Sequence, residues 1–181
     1  MKFNNSVIRV SIPKELIDKA KDFAIAVVET TNYGDSNQFS KTKITDDHFV
    51  SKVGEEAVKI VFSEYADVEG PDYNIYEGKR KSWDDDLFIN GMGLAVKSQK
   101  RTAALKYGLS WTFQAGNIRR DSILDNPEAW VCFVEFDDTN EGNYCNVYPA
   151  YQIKELKFKD PFLEKLKGHK LVVYARDLSV R

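Results

Sequence analysis

Apolar side chains recur at helical spacing in two segments of the first third of the chain. The first stripe predicts a helix over about residues 12–30, with Ser11 as its N-cap and Pro13 in its first turn. A second stripe predicts a helix over about residues 46–65. The polar segment 31–45 between them predicts a mobile loop, of a length that is often functional and able to close over a substrate.

Alternating or continuous apolar runs predict strands in much of the remaining chain. The predicted strands cover residues 73–76, 109–114, 130–136, 144–148 and 171–174, and residues 2–10 predict a short strand or a strap. The run at 130–136 is nearly all apolar, as expected of a central strand covered on both faces. Pro149 predicts the start of a further helix. This order of elements predicts an α/β sandwich with a mixed central β-sheet.

The segment 86–97 predicts a β-hairpin that carries charged residues. Two apolar runs, LFI and LAV, flank the sequence NGMG, whose Asn-Gly step favours a tight turn with positive φ. With Gly91 and Met92 as the two turn residues, Asp86 stands directly opposite Lys97. Directly opposed residues share a face of the sheet, so a carboxylate and an ammonium group meet there.

Asp86 and Lys97 have the chemistry that phosphodiester hydrolysis requires. A carboxylate can hold Mg²⁺, and a nearby lysine can position the attacking water and offset charge on the phosphate. Their order resembles the PD-(D/E)XK family, the restriction-endonuclease-like nucleases, in which an aspartate opens one strand and an acid, any residue and a lysine follow on the next. Glu55 resembles the helical glutamate before the hairpin in this family, and Gln99 the polar residue just beyond the lysine.

The resemblance covers about residues 54–150 and implies a fold, a reaction and a partner. The fold is a three-layer restriction-endonuclease-like sandwich, with a mixed central sheet flanked by helices. The implied activity is that of an endodeoxyribonuclease acting on double-stranded DNA with Mg²⁺, for which Mn²⁺ is a possible substitute. Asp86 and the main-chain carbonyl of Val96 would hold the metal, Lys97 would position water, and Glu55 and Gln99 would support the site. A homodimer is expected, because such enzymes often cut both strands by pairing two subunits.

Ala95 departs from the family pattern, which has an acid two residues before the lysine. Three explanations are open: a substitution that traps an inactive enzyme, a natural variant whose second metal ligand comes from elsewhere, or a pseudo-enzyme that only binds. The last explanation gives the alternative function, a catalytically inactive nuclease-fold module that binds DNA or protein. A surface ion pair is the plain structural alternative for Asp86 and Lys97, and such a pair is worth at most about 1 kcal/mol.

Two further acids have alternative interpretations. Asp72 follows Pro71, as in the family's name, and competes with Asp86 for the metal; it otherwise serves as a supporting acid or a turn residue. Glu55 lies on the helical line of Val58 and Phe62, off the main apolar stripe. If that line faces the hairpin, Glu55 points toward the metal site, and if it faces solvent, Glu55 is a surface residue.

Basic residues on both sides of the hairpin are candidate DNA contacts. Arg119 and Arg120 are the best candidates for phosphate or guanine contacts. The basic run 79–81 beside Trp83 suits a phosphate backbone, and equally a solvated turn. The full set of predicted contacts is Lys79, Arg80, Lys81, Lys100, Arg101, Trp111, Arg119 and Arg120.

Composition and charge set the remaining expectations. With 181 residues, 43% hydrophobic and 30% charged, the chain is expected to form one nuclease-like domain over residues 1–181. No stretch has the length of a membrane span or the pattern of a signal peptide, which predicts a cytoplasmic protein. The net charge of −2 is uneven, since residues 1–96 carry 12 basic and 17 acidic groups and residues 97–181 carry 14 and 11. Cys132 and Cys145 are predicted to be buried thiols.

Overall fold

The computed structural model of the protein describes residues 5–30, 40–76, 85–140 and 142–179. The helices are α1 (Lys14–Thr30), α2 (Lys41–Phe62) and α3 (Arg101–Tyr107). The strands are β1 (Ile8–Ser11), β2 (Val68–Glu69), β3 (Leu87–Ile89), β4 (Met92–Lys100), β5 (Ser110–Gln114), β6 (Trp130–Asp137), β7 (Tyr144–Gln152) and β8 (Lys170–Tyr174). Among the described residues no helix combines the length and the apolar character that crossing a bilayer requires.

Six strands form one mixed sheet in the order β1-β7-β6-β4-β3-β2. Neighbouring strands are antiparallel except β4 and β6, which are parallel. A parallel pair needs a long crossover, and here the connection contains α3, β5 and the single helical turn Ser122–Asp125. β5 and β8 pair as a separate two-stranded sheet. The α/β class and the mixed sheet predicted from the sequence are therefore confirmed.

β6 is the central strand that its apolar sequence predicted. Its side chains alternate between two apolar clusters on opposite faces of the sheet. Cys132, Val134 and Phe136 belong to one cluster, and Val131 and Phe133 to the other. Burial on both faces explains why the strand shows no polar alternation. Cys132 and Cys145 are free and buried, as predicted.

The long helices α1 and α2 cover the first of these faces. Ile17 and Ala20 of α1 and Val53, Ala57 and Val61 of α2 pack with the first β6 cluster. α2 approaches β4 closely at Gly54, where an added Cβ would lie 1.9 Å from Ser98 Oγ. Because glycine has no side chain, the helix backbone packs directly against the sheet at this position. The next residue, Glu55, is therefore buried.

The second face is covered by the small sheet of β5 and β8. Trp111 and Phe113 of β5 and Val173 of β8 pack against Val131 and Phe133 of β6. The Trp111 and Phe133 rings stack with centroids 4.6 Å apart, and Trp111 Nε1 donates a hydrogen bond to the Val134 carbonyl at 2.9 Å. A β-ribbon rather than a long helix therefore covers this side of the central sheet.

The predicted loop between the first two helices differs from the structure. The predicted loop 31–45 is wrong at its end, because α2 begins at Lys41; residues 31–39 lie outside the described part of the chain. Ser40 is the N-cap, and its hydroxyl accepts a hydrogen bond from Lys43 N at 3.3 Å. The polar residues of this turn form the exposed start of a helix rather than a loop.

The predicted strand at 73–76 is absent. Asp72 instead fixes a local turn, accepting hydrogen bonds from Asn74 N at 2.8 Å and from the Tyr76 hydroxyl at 2.6 Å. The Tyr73 hydroxyl donates to Glu56 Oε1 on α2 at 2.9 Å. Side-chain hydrogen bonds thus replace strand pairing in this segment.

The helix predicted to begin at Pro149 is also wrong, because Pro149 lies inside β7. The pairing of β6 with β7 shifts between Cys132 and Val134, so that Phe133 faces the two residues Tyr148 and Pro149. β1 pairs with β7 only as far as Val147. A proline without an N–H is tolerated at such a bulge beside an open edge.

Candidate active site

The β3–β4 hairpin forms as predicted but with a different register. Leu87 pairs with Leu94, Phe88 with Gly93 and Ile89 with Met92, so Asn90 and Gly91 are the turn residues. Both have positive φ, 48° for Asn90 and 74° for Gly91. A two-residue turn of type I′ needs positive φ at both central positions, which asparagine and glycine accept and methionine does not. The predicted turn at Gly91 and Met92, and with it the direct pairing of Asp86 and Lys97, is therefore wrong.

The corrected register places Asp86 opposite Ala95 instead of Lys97. A shift of two residues keeps every side chain on its own face, so Asp86, Ala95 and Lys97 still share one side of the hairpin. Asp86 Oδ2 accepts a hydrogen bond from Val96 N at 2.7 Å. This bond holds the carboxylate against β4 at the point where β3 begins.

A groove of about 270 Å³ opens on that side of the hairpin. Its hairpin wall consists of Asp85, Asp86, Ala95 and Lys97. The opposite wall comes from the segment before β6, and the residues that contribute to it are Asp121, Ser122, Ile123, Asn126 and Ala129. The structure thus brings together the aspartate, the lysine and the position of the missing acid.

Lys97 is held across the groove by Asp121, a residue that the sequence did not single out. Lys97 Nζ lies 2.9 Å from Asp121 Oδ2 and 5.1 Å from the centre of the Phe113 ring. Asp121 Oδ2 also accepts from Gln114 N at 3.1 Å, and Asp121 N donates to the Gln114 carbonyl at 2.9 Å. Only the pairing of β5 with the following segment brings this aspartate to the groove, and no motif in the sequence indicates it.

Glu55 is buried, with 2% of its surface exposed, so the surface interpretation of this residue is wrong. Burial, and then the negative charge of nearby Asp86, raise the pKa of Glu55 to about 8. Lys52 opposes this shift with its ammonium group 2.5 Å from Glu55 Oε2. Lys52 was not predicted as a site residue; its position three residues before Glu55 on the helix is the only sequence signal for the pair.

The same buried electrostatics act on Asp86. Burial raises its pKa above the ordinary value, although the Val96 N hydrogen bond and the charges of Lys97 and Lys52 favour the ionised form. Asp86 therefore stands between Lys97 on the groove side and the Glu55–Lys52 pair of α2. Carboxyl groups with raised pKa values beside a cleft are typical of catalytic and metal-binding sites, and they also occur in structural ion-pair networks.

Gln99 and Asp72 lie outside the groove. Gln99 Oε1 accepts a hydrogen bond from Ser110 N at 2.9 Å, which joins β4 to the start of β5. The Asp72 carboxylate is used in its own turn, where burial raises its pKa but the hydrogen bonds from Tyr76 and Asn74 outweigh that effect and lower it. Gln99 is placed to orient β4. Of the three roles considered for Asp72, metal ligand, supporting acid and turn residue, its hydrogen bonds agree with the last.

The predicted DNA contacts divide into four groups. Lys79, Arg80 and Lys81 lie outside the described residues. Trp111 is 1% exposed, so the prediction that it contacts DNA is wrong for this fold. Arg101 bonds to Glu135 and Asp137, Lys100 to Asp46, and Arg120 to Asp125. Arg119 is exposed.

The Mg²⁺ ion implied by the resemblance requires oxygen ligands, and the groove contains them. Asp85, Asp86 and Asp121, whose side chains carry carboxylates, are all lining residues of the groove. The N–H and C=O of one residue in an extended strand point to the same edge, so the Val96 carbonyl faces the side on which Asp86 lies. The side chain of Ala95 adds no oxygen ligand.

No three His, Cys, Asp or Glu side chains of the described ranges are grouped to hold a metal, but Mg²⁺ commonly uses one or two carboxylates with water and substrate phosphate. The residues present fit such an ion.

Comparisons of the chain with protein-family models, with curated proteins and with solved structures find no match.

Proposed function

We propose that the protein is a Mg²⁺-dependent DNA endonuclease and that the groove on the β3–β4 hairpin is its active site. The observation that carries this proposal is the placement of Asp86, Ala95 and Lys97 on one wall of one groove. These are the aspartate, second-acid and lysine positions of the PD-(D/E)XK pattern. An ordinary surface ion pair needs no cleft, no buried carboxylate beside it and no backbone hydrogen bond that fixes the aspartate.

Each residue has a defined role in the proposed reaction. Asp86, fixed by Val96 N, and the Val96 carbonyl would hold the Mg²⁺ ion, which supplies Lewis-acid stabilisation of the phosphate charge. Lys97 Nζ donates hydrogen bonds to the attacking water and to a phosphate oxygen. The water oxygen forms a bond to phosphorus, and the bond to the leaving sugar oxygen breaks. The water releases one proton to solvent and the leaving oxygen takes one up, so the step is balanced.

The arrangement of strands supports the proposal at the level of the fold. The hairpin that carries Asp86 and Lys97 lies beside a parallel strand, β6, and α2 delivers Glu55 to the other side of Asp86. We propose that these parts form the core of a restriction-endonuclease-like sandwich. In this chain the ribbon of β5 and β8 forms the layer opposite α1 and α2. Cleavage of both strands of a duplex would then require two copies of the chain.

A second candidate function is a catalytically inactive module that keeps this fold and binds DNA. Ala95 is the observation that favours it, because the residue opposite Asp86 contributes no oxygen to a metal. In that case the groove would bind a phosphate through Lys97 without cleaving it.

A plasmid nicking assay with Mg²⁺ and with Mn²⁺ tests the proposal. The variants are Asp86→Asn, Lys97→Met and Ala95→Glu. The matched controls are Glu164→Gln and Lys167→Met, which alter an exposed ion pair of 2.5 Å between the first residue of the turn Glu164–Leu166 and the residue after it. We expect metal-dependent nicking by the unaltered chain or by Ala95→Glu, and its loss in Asp86→Asn and Lys97→Met but not in the controls.

Two results count against the endonuclease. Binding of duplex DNA without nicking, both before and after Ala95→Glu, supports the inactive module. Nicking that survives Asp86→Asn contradicts the assignment of the groove, because another site must then perform the reaction.

A further inference from the structure

The groove contains an acid that is well placed to replace the one missing at position 95. In the family pattern the second acid lies two residues before the lysine on the same strand face, so the two side chains are neighbours. Here Ala95 has only a methyl group, and Lys97 forms an ion pair with Asp121, whose Oδ2 lies 2.9 Å from its Nζ. Asp121 reaches the groove from the opposite wall.

The hydrogen bonds that Asp121 accepts from the described residues both go to one carboxylate oxygen. Lys97 Nζ and Gln114 N both bond to Oδ2. Among the described residues no side chain or backbone group donates to Oδ1. The backbone bonds between Asp121 and Gln114 fix the position of the carboxylate, so little reorganisation is needed to present Oδ1 to a ligand.

The small side chain at position 95 keeps the space in front of Asp121 open. Ala95 lies opposite Asp86 on the hairpin, and both residues line the groove together with Asp121. A glutamate at position 95 would extend into this space and compete with Asp121 for Lys97. Alanine at this position and aspartate at 121 are therefore complementary.

We propose that Asp121 is the second metal-binding carboxylate of the groove and does the work of the acid that is absent at position 95. This inference rests on the proposed function, since it assigns a ligand to the same metal site. Asp86, the Val96 carbonyl and Asp121 then form an all-oxygen ligand set, as Mg²⁺ requires. Among the three explanations for Ala95, this proposal corresponds to the natural variant, whose second metal ligand comes from another segment.

The test measures Mn²⁺ affinity by isothermal titration calorimetry as well as plasmid nicking, for four proteins. These are the unaltered chain, Asp121→Asn, Ala95→Glu and the double variant Ala95→Glu/Asp121→Asn. Asn at position 121 keeps an oxygen that accepts from Lys97 and Gln114 but removes the charge. Asp125→Asn is the matched control, because Asp125 lies in the same segment and pairs with exposed Arg120.

We expect Asp121→Asn to weaken Mn²⁺ binding at least about tenfold and to lower nicking about a hundredfold. The double variant should regain both, and Asp125→Asn should change neither. Unfolding by urea, followed for every variant, separates a lost ligand from a lost fold.

Four outcomes overturn the inference. Unchanged Mn²⁺ affinity and nicking in Asp121→Asn leave the endonuclease intact but exclude Asp121. Reduced nicking with unchanged Mn²⁺ affinity makes Asp121 a positioning residue for Lys97. Mn²⁺ binding and nicking that appear only after Ala95→Glu show that alanine at position 95 inactivates the site and that Asp121 does not replace the acid. Absence of both in the unaltered chain and in Ala95→Glu removes the proposed function itself.

Discussion

Two clusters of opposite charges lie on the same sheet, and they differ in how fully their carboxylates are bonded. One is the groove of Asp86, Lys97 and Asp121. The other, which we call the ion-pair cluster, consists of Arg101, Glu135, Asp137, Arg9 and Asn146. In the ion-pair cluster Arg101 bonds to Glu135 at 3.1 Å and to Asp137 at 2.8 Å, and Asn146 donates to Glu135 at 2.7 Å.

The two Asp137 oxygens show how complete the bonding in the ion-pair cluster is. Oδ2 accepts from Arg9, Arg101 and Asn140, and Oδ1 accepts from the backbone and hydroxyl of Thr139. Burial raises the pKa of Asp137, but the hydrogen bonds from Thr139, Asn140 and Arg9 outweigh it and hold the pKa at about 2. In the groove, burial prevails at Asp86 and the pKa is raised.

This difference separates a structural use of these residue types from the functional use that we propose for the groove. A carboxylate whose oxygens are all bonded within the protein stabilises the fold and has nothing left for a ligand. A carboxylate kept in a cleft with few partners lowers the stability of the fold and remains available. Arg101, a predicted DNA contact, belongs to the first kind of cluster.

The largest expected effect is on nicking by Asp86→Asn. Asparagine keeps an oxygen that accepts from Val96 N but removes the charge that would hold the metal. We expect nicking to fall by about 10²–10³-fold and the free energy of unfolding at neutral pH to rise, because a buried charge beside Glu55 is removed. Nicking and urea unfolding measure the two effects. A fall in both would place Asp86 in the structural class.

Arg101→Met tests the structural role of the ion-pair cluster. It leaves Glu135 and Asp137 buried with one cation fewer, and we expect a loss of about 3 kcal/mol in the free energy of unfolding, since breaking a buried ion pair exposes the full cost of the remaining charge. Urea unfolding measures this loss. Arg120→Met is the matched control, because its ion pair with Asp125 is exposed and should cost less than about 1 kcal/mol. Equal losses would show that the ion-pair cluster is no more structural than a surface pair.

Glu55 is expected to make the free energy of unfolding depend on pH. The native protein retains the Glu55 proton up to a pKa of about 8, whereas the unfolded chain loses it near the ordinary glutamate pKa of 4.5. The native state therefore binds more protons between these values, and stability falls as pH rises, by at most about 1.4 kcal/mol per pH unit. Urea unfolding at several pH values measures the slope. Glu55→Gln should remove it, and Glu64→Gln, which alters a surface glutamate just beyond α2, should not.

The parts of the fold set by local patterns could be predicted from the sequence. The apolar run of β6 predicted a strand buried on both faces, and the Asn-Gly step predicted the hairpin. The register was missed because both Asn90 and Gly91 take positive φ, whereas the prediction put Met92 in the turn. Pro149 was misplaced because the bulge opposite Phe133 depends on the partner strand.

The same distinction between local patterns and distant contacts explains which candidate site residues could be predicted. Asp86, Lys97 and Glu55 were predicted because their order along the chain resembles the family pattern. Asp121 and Lys52 were missed because their roles depend on contacts: Asp121 reaches Lys97 only when β5 is formed, and Glu55 is buried beside the partly buried Lys52 only when α2 packs on β4. The bonding of Arg101 was missed for the same reason, since its partners lie 34 and 36 residues away.

The smallest expected effect on stability is that of Lys97→Met. The Asp121 side chain keeps 23% of its surface exposed, against 9% for Glu135 and 0% for Asp137, and it retains its bond from Gln114 N when the lysine is removed. We expect the free energy of unfolding to fall by no more than about 1 kcal/mol, against about 3 kcal/mol for Arg101→Met, while nicking is lost. Both variants replace a cation by methionine, so urea unfolding compares the two clusters directly. A loss at Lys97→Met as large as that at Arg101→Met would mean that the groove pair is a structural contact, and the distinction between the two clusters would fail.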